Sequence, residues 1–318
     1  MAPPDLPGLG SQGLRTLRAF GQRIPGAGEL LAPSLHAAVR GRTVMITGAS
    51  SGIGRAAAVQ IGAAGGHVLL VARTREKLQE VADEIEARGG SASAHPCNLA
   101  DMDDIDRMAA EVLARHERVD ILVNNAGRSI RRSVQRSYER FHDYQRTMQI
   151  NYFGAVKLIL DLLPTMRARK SGHIINISSI GVQTNTPRFG AYVASKAALD
   201  AFSRSISAEI IEDGVHITTI YMPLVRTPMI APTKMYERFP ALSPEAAAAL
   251  ICDAIRKRPK RISTPLGVLG QLSYALAPGA QDLVLNQAIK LIPEGGERRE
   301  HESLEERAFI RATRGVHW

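Results

Sequence analysis

Tyr192 and Lys196 stand four residues apart, so a helix carries both on one face. A phenol ordinarily titrates near ~10, too high to exchange protons readily around neutrality. An ammonium beside it stabilises the phenolate and lowers that value. Ser179, upstream of Tyr192, offers a hydroxyl that can donate to an oxygen on which negative charge develops. Asn151, earlier still, can fix a water that relays protons toward Lys196. Alone, a Tyr at helical spacing from a Lys is ordinary packing with a snorkelling ammonium. Together the four residues read as a proton-delivery site for a carbonyl that is being reduced. No CxxC or His/Cys cluster offers metal ligands, and no metal is expected.

Such a site needs an electron source, and the sequence places one upstream. The apolar run Thr43–Thr47 reads as a buried strand and leads into Gly48-Ala49-Ser50-Ser51-Gly52-Ile53-Gly54. A helix is expected over 52–64. Glycines at 48, 52 and 54 permit a tight turn and a close backbone approach to a pyrophosphate. The helix N-terminus then supplies N–H donors and positive potential. Gly48, Ser50, Ser51, Gly52, Ile53 and Gly54 are therefore expected to cradle a dinucleotide. A second strand, His67–Ala72, ends at Arg73 with no acid between Gly66 and Arg75. An NAD site usually places an acid about 20 residues after the glycines. Arg73 lies where a 2′-phosphate would sit, which favours NADPH; the competing reading is a surface arginine.

The remaining elements alternate. Helices are expected over 74–88, 101–116, 145–169, 191–212 and 243–258. Strands are expected over 91–97, Ile121–Asn124, 173–178 and 216–221. Ser243 reads as a cap with Pro244 at the first helical position. Six strands alternating with helices imply an α/β doubly wound parallel sheet, a Rossmann fold. The domain is expected over 41–264. Residues 1–40 form an N-terminal extension with an amphipathic piece at 14–24. Residues 265–318 form a C-terminal extension, apolar but broken by Pro265, Gly267, Gly270, Pro278 and Gly279, with a charged tail from Pro293.

In order, Thr-Gly-x-x-x-Gly-x-Gly, Asn124-Asn125-Ala126-Gly127, Ser179 and Tyr192-x-x-x-Lys196 resemble the short-chain dehydrogenase/reductase family over about 41–229. The resemblance implies a single Rossmann domain with Asn151, Ser179, Tyr192 and Lys196 as a catalytic tetrad. It implies cofactor contacts from Asn125, Ala126, Gly127, Tyr192 and Lys196, from Asn98 and Leu99 near the adenine, and from Pro223, Val225 and Thr227 near the nicotinamide. Two departures stand out. Asn98 occupies a position where the family commonly has Asp, and Pro223-Leu224 replaces the usual Pro-Gly. The segments 177–185 and 221–234 are further similar to bacterial fatty acyl-CoA reductases. That likeness implies reduction of a long-chain acyl thioester, or of the free aldehyde. Other carbonyl substrates of the family stay open: a 3-oxoacyl thioester, a steroid or a ketone. A non-enzymatic nucleotide-binding scaffold is the third reading, and the intact tetrad argues against it.

Bulk properties bound these readings. The chain has 318 residues and a formal net charge of +9. The surplus is gathered in two places: Arg128, Arg131, Arg132, Arg136, Arg140 and Arg146, and a run over 256–261. No nucleic-acid motif accompanies either cluster. The second run is a candidate for CoA phosphates, anionic lipid or plain solvation. Two cysteines cannot make a disulfide framework, and a reducing, cytoplasmic setting is expected. No signal peptide and no run of ~18 apolar residues is evident. The segment 266–292 could cap an acyl channel, make a peripheral membrane contact or form part of a dimer or tetramer face.

Overall fold

The structure, a computed structural model, describes residues 32–231, 236 and 239–291. The amphipathic piece at 14–24 and the tail from Pro293 lie outside the described residues. In chain order the elements are α1 (Leu35–Val39), β1 (Thr43–Thr47), α2 (Gly52–Ala63), β2 (His67–Ala72), α3 (Arg75–Ala87), β3 (Ser91–Pro96), α4 (Met102–His116) and β4 (Ile121–Asn124). Then follow α5 (Phe141–Met148), a π-helical turn (Gln149–Phe153), α6 (Gly154–Ala168), β5 (Gly172–Ser179), α7 (Ile180–Thr184), α8 (Gly190–Glu209) and β6 (Val215–Met222). The last are α9 (Pro244–Lys257), β7 (Arg261–Ile262), α10 (Pro265–Leu276) and α11 (Pro278–Leu291).

Seven strands form one sheet in the order β3-β2-β1-β4-β5-β6-β7, with every pairing parallel. The pleat sends alternate side chains to opposite faces. Val44 and Ile46 of β1 join α2, α3 and α9 through Ile61, Ile85 and Ile251. Met45 and β4's Leu122 join α4, α6 and α8 through Ile105, Leu158 and Leu199. The strands are buried on both faces, which explains their unbroken apolar runs. Strand order reverses direction between β1 and β4, so their carboxyl ends open a crevice at the topological switch point.

The structure departs from the expected elements in four places. The helix expected over 145–169 begins at Phe141 and is interrupted by the π turn. A seventh strand pairs Arg261 and Ile262 with Thr219 and Ile220. The segment after Ser179 coils into α7. The C-terminal segment forms two helices, because Pro265 and Pro278 occupy first-turn positions where no N–H is needed. Within the expected N-terminal extension, Ala38 and Val39 of α1 are buried in the core. No helix among the described residues is long and apolar enough to cross a membrane.

Candidate active site

The crevice between β1 and β4 is walled by backbone. Gly48 and Gly52 have φ of +67° and +54°, the left-handed region that glycine tolerates best. A Cβ on Gly54 would collide with the carbonyl of Gly48 and lie 2.6 Å from Asn125 Nδ2. Thr47 ties this loop to the exit of β4. Its Oγ1 accepts from the N–H groups of Asn125 and Ala126, each at 3.0 Å, and its carbonyl accepts from Asn125 Nδ2 at 2.9 Å. Ser51 precedes α2 without a side-chain capping bond, so the first-turn N–H groups keep their capacity for an anion. A dinucleotide pyrophosphate fits this cradle. Ser50 and Ile53 are partly buried in it.

Other expected cofactor residues border the same crevice. Arg73 sits in the bend after β2, exposed, with no hydrogen bond or ion pair to another described residue. Asn98 is exposed and its side-chain oxygen accepts from Ala100 N at 3.3 Å, so its carbonyl already serves a turn. Leu99 is buried, with its carbonyl against Gly154. The loop after β6 runs back over the glycines. Pro223 and Val225 are buried, Val225 bridges to Leu242, and Thr227 Cγ2 lies 3.1 Å from where a Cβ on Gly52 would stand.

The structure brings Asn151, Ser179, Tyr192 and Lys196 together at the carboxyl end of the sheet. Asn151 sits in the π turn, an extra-residue distortion that re-aims side chains. Its Oδ1 accepts from Arg128 N at 2.7 Å, and its Nδ2 donates to Arg128 O and to Ser195 Oγ, both at 2.9 Å. Ser195 Oγ in turn donates to Tyr192 O at 2.7 Å. Lys196 is buried and its Nζ donates to Ile177 O at 2.7 Å. Gly127 separates the lysine from the asparagine. A Cβ there would stand 3.2 Å from Asn151 Oδ1 and 3.3 Å from Lys196 Nζ. Ser179 ends β5 and caps α7 by accepting from Gly181 N at 3.1 Å, and it shares a side-chain hydrogen bond with Tyr192.

Burial governs the ionisation of this group. It pushes the Tyr192 phenol above its ordinary value, against the opposing effect of the Ser179 hydrogen bond. Burial also pushes Lys196 down to about 8. The sequence led us to expect a phenol lowered by the ammonium. In the structure burial acts the other way, because the phenolate would lose its hydration. Around neutrality the phenol therefore holds its proton and the ammonium is still largely charged.

Sequence reasoning did not single out Ser195, the residue that connects Asn151 to the α8 backbone. Its position three after Tyr192 places it on the same helical face, which was the available signal. It also missed a buried chain in which Asn124 Nδ2 donates to Asn176 Oδ1 and Asn176 Nδ2 donates to Ser203 Oγ, at 2.9 and 2.8 Å. This chain fixes β4, β5 and α8 to one another beneath the site. The basic run over 256–261 lies elsewhere. Arg256 donates to Pro33 O, Lys260 to Ser207 Oγ and Arg261 to Gln271 Oε1. Arg258 stands near Arg42 and near His173 and His216, at the amino ends of β1, β5 and β6. That edge is opposite the tetrad, so Arg258 does not face a substrate held there.

A parallel sheet with a glycine cradle at its switch point, joined to a buried Tyr–Lys pair, defines a dinucleotide-dependent oxidoreductase. The short chain dehydrogenase family model matches residues 42–237. The chain belongs to the short-chain dehydrogenase/reductase family and is an oxidoreductase of that family, with a nicotinamide cofactor. It is 57% identical to a fatty acyl-CoA reductase of Acinetobacter baylyi over 284 residues, covering 88% of this chain and 96% of that one. It is 48% identical to a fatty acyl-CoA reductase of Mycobacterium tuberculosis, covering 75% of this chain and 81% of that one. Among solved structures, a metagenomic short-chain oxidoreductase in complex with NADP aligns at a TM-score of 0.60 and 31% identity, covering 71% of this chain and 99% of that one.

Proposed function

We propose that the chain is an NADPH-dependent reductase of long-chain fatty acyl-CoA and of the corresponding aldehyde. One observation carries this reading. The similarity to the Acinetobacter baylyi reductase extends over 88% of the chain, well past the family match at 42–237. It therefore reaches residues beyond the matched family domain. In this reading Gly48, Ser50, Ser51, Gly52, Ile53 and Gly54 hold the pyrophosphate, and Arg73 holds the 2′-phosphate. Asn98 and Leu99 border the adenine; Asn125, Ala126, Gly127, Pro223, Val225 and Thr227 border the nicotinamide half.

Bound NADPH supplies a hydride to the carbonyl carbon. Ser179 and Tyr192 hold the carbonyl oxygen, and Tyr192 gives its proton to that oxygen as negative charge builds. Lys196 holds the nicotinamide ribose and, with Asn151 across Gly127, returns a proton to the phenol through water. From a thioester the product is a hemithioacetal. Its collapse breaks the C–S bond, frees the CoA thiol and leaves the aldehyde. No cysteine is needed as acyl carrier. Cys97 and Cys252 are buried, and burial pushes both thiols up to about 12, far from thiolate. We assign α10 and α11 the role of a cap on the acyl end, because α10 packs on α7, the helix that Ser179 begins.

NADPH oxidation in the presence of palmitoyl-CoA tests the proposal, with NADH as the comparison cofactor. Tyr192→Phe should lower turnover on the order of 10²–10⁴-fold. Absence of both thioester and aldehyde turnover would sink the substrate assignment. Turnover that survives loss of the hydroxyl would sink the proton-donor role.

A further inference from the structure

The loop from Gly127 to α5 carries Arg128, Arg131, Arg132, Arg136 and Arg140, and Arg146 follows within α5. Only two carboxylates, Glu139 and Asp143, accompany these six guanidiniums. Asp143 is buried and gathers three of them. Arg132 Nε and Arg140 Nε donate to its Oδ2 at 3.2 and 3.0 Å, and Arg146 Nη2 donates to its Oδ1 at 2.8 Å. One buried negative charge thus organises three positive ones, whose heads stay partly exposed. Guanidiniums gathered on one loop raise a local positive potential that attracts anionic ligands.

The cluster stands at the mouth of the active site. Arg128 is clasped by Asn151 through both of its backbone polar groups. Arg132 N donates to Arg188 O at 2.6 Å, on the loop that leads into Tyr192. Tyr236 lies near both Arg131 and Tyr192, which sets Arg131 in the neighbourhood of the catalytic phenol. Asp143 precedes Asn151 by eight residues on a nearly continuous helix, a rise of about 12 Å. The phosphates of an acyl-CoA are held away from the thioester by the pantetheine arm. They must therefore be met at a distance from the tetrad, at the mouth rather than at the chemistry.

We infer that this arginine loop binds the phosphate groups of the coenzyme A half of the substrate. The inference rests on the acyl-CoA reading above and moves phosphate recognition from the run over 256–261, whose Arg256, Lys260 and Arg261 bond within the protein and whose Arg258 stands at the other edge of the sheet. Guanidiniums suit the task because their fork of donors matches phosphate oxygens.

Arg131→Gln leaves the three Asp143 partners in place, and Arg136→Gln/Arg140→Gln cuts deeper; a thermal melt checks that each folds. Three substrates separate the phosphates from the reacting carbon: palmitoyl-CoA, S-palmitoyl-pantetheine, which has the thioester without phosphates, and hexadecanal. The KM for palmitoyl-CoA should rise roughly tenfold or more relative to the other two. Equal losses on both thioesters, or no loss on palmitoyl-CoA, would overturn the proposal. So would a rise confined to the KM for NADPH, which would give the loop to the dinucleotide. Calorimetric titration with free coenzyme A is read independently of turnover. If the wild-type protein reduces no thioester, the acyl-CoA reading has failed; coenzyme A binding that Arg131→Gln weakens would still uphold the loop as its site, and binding unaffected by either variant would refute it.

Discussion

Gly127 has no side chain to contribute, yet it decides what Asn151 and Lys196 can share. Their polar ends converge on the space above it, and a Cβ would stand 3.2 and 3.3 Å from them. Those distances are tighter than ordinary van der Waals contact, and neither neighbour is free to yield. Asn151 is held by Arg128 and Ser195, and Lys196 by Ile177. Gly127→Ala should therefore fill the space a relaying water needs and shift the lysine by a fraction of an ångström. Misplacement on the ångström scale costs on the order of 10²-fold in rate. We expect kcat to fall by up to that factor, with a melting temperature close to wild type. The kcat, measured with saturating NADPH and hexadecanal, checks it; an unchanged value would mean that no proton relay crosses this point.

At the scale of elements, α5 depends on the ion node at its start. Burial pushes the Asp143 carboxyl up, but hydrogen bonds from Arg140 and Arg146, with the charges of Arg140 and His142, outweigh it and leave about 2. The folded value lies below the unfolded carboxyl's. The stabilisation is therefore fully present above about pH 4 and is lost as pH falls through about 2. Asp143→Asn removes the central charge at every pH. Stripping a buried charge of its partner costs about 3–5 kcal/mol. Here the guanidiniums reach solvent, so about 3 kcal/mol is expected, read from the urea midpoint at pH 7 and largely abolished near pH 2. The same elements show what the sequence made legible. β1, β2 and β4 were readable to the residue, because strands buried on both faces are unbroken apolar runs between turns. The π turn holding Asn151 was not, since one extra residue leaves the helical pattern almost intact. β7 has two residues and no period to detect. In α10 and α11 the prolines and glycines read as breaks, though Pro265 and Pro278 open their helices and Gly267 and Gly270 face α7. Motif order pointed to the residues that the structure gathers in the crevice. The place of Arg258 at the amino edge of the sheet depends on where α9 ends, which spacing alone does not encode.

Across the whole molecule, the C-terminal helices are coupled to the site through α7. Ser179 begins α7, and α10 packs against it so closely that a Cβ on Gly267 would strike Gln183 Oε1 and stand 3.3 Å from Ile180 Cγ1. Gln183 is 2% exposed, and its Nε2 donates to Ser263 Oγ at 3.1 Å. Gly267→Ala must either rotate this amide out of its hydrogen bond or lift α10 from α7. Overpacking of this kind costs about 1–3 kcal/mol, while the helix gains up to ~1 kcal/mol from replacing glycine. The clash should win, with a net loss of about 1–2 kcal/mol. Gly279→Ala is the matched control: nothing lies within 4 Å of its Cβ position, so only the propensity gain remains. Urea unfolding of the two variants should therefore move in opposite directions. If α10 positions Ser179 through α7, Gly267→Ala should also lower kcat with hexadecanal, and Gly279→Ala should not. A Gly267→Ala protein that is less stable but turns over at the wild-type rate would make α10 a structural brace with no hold on the catalytic serine.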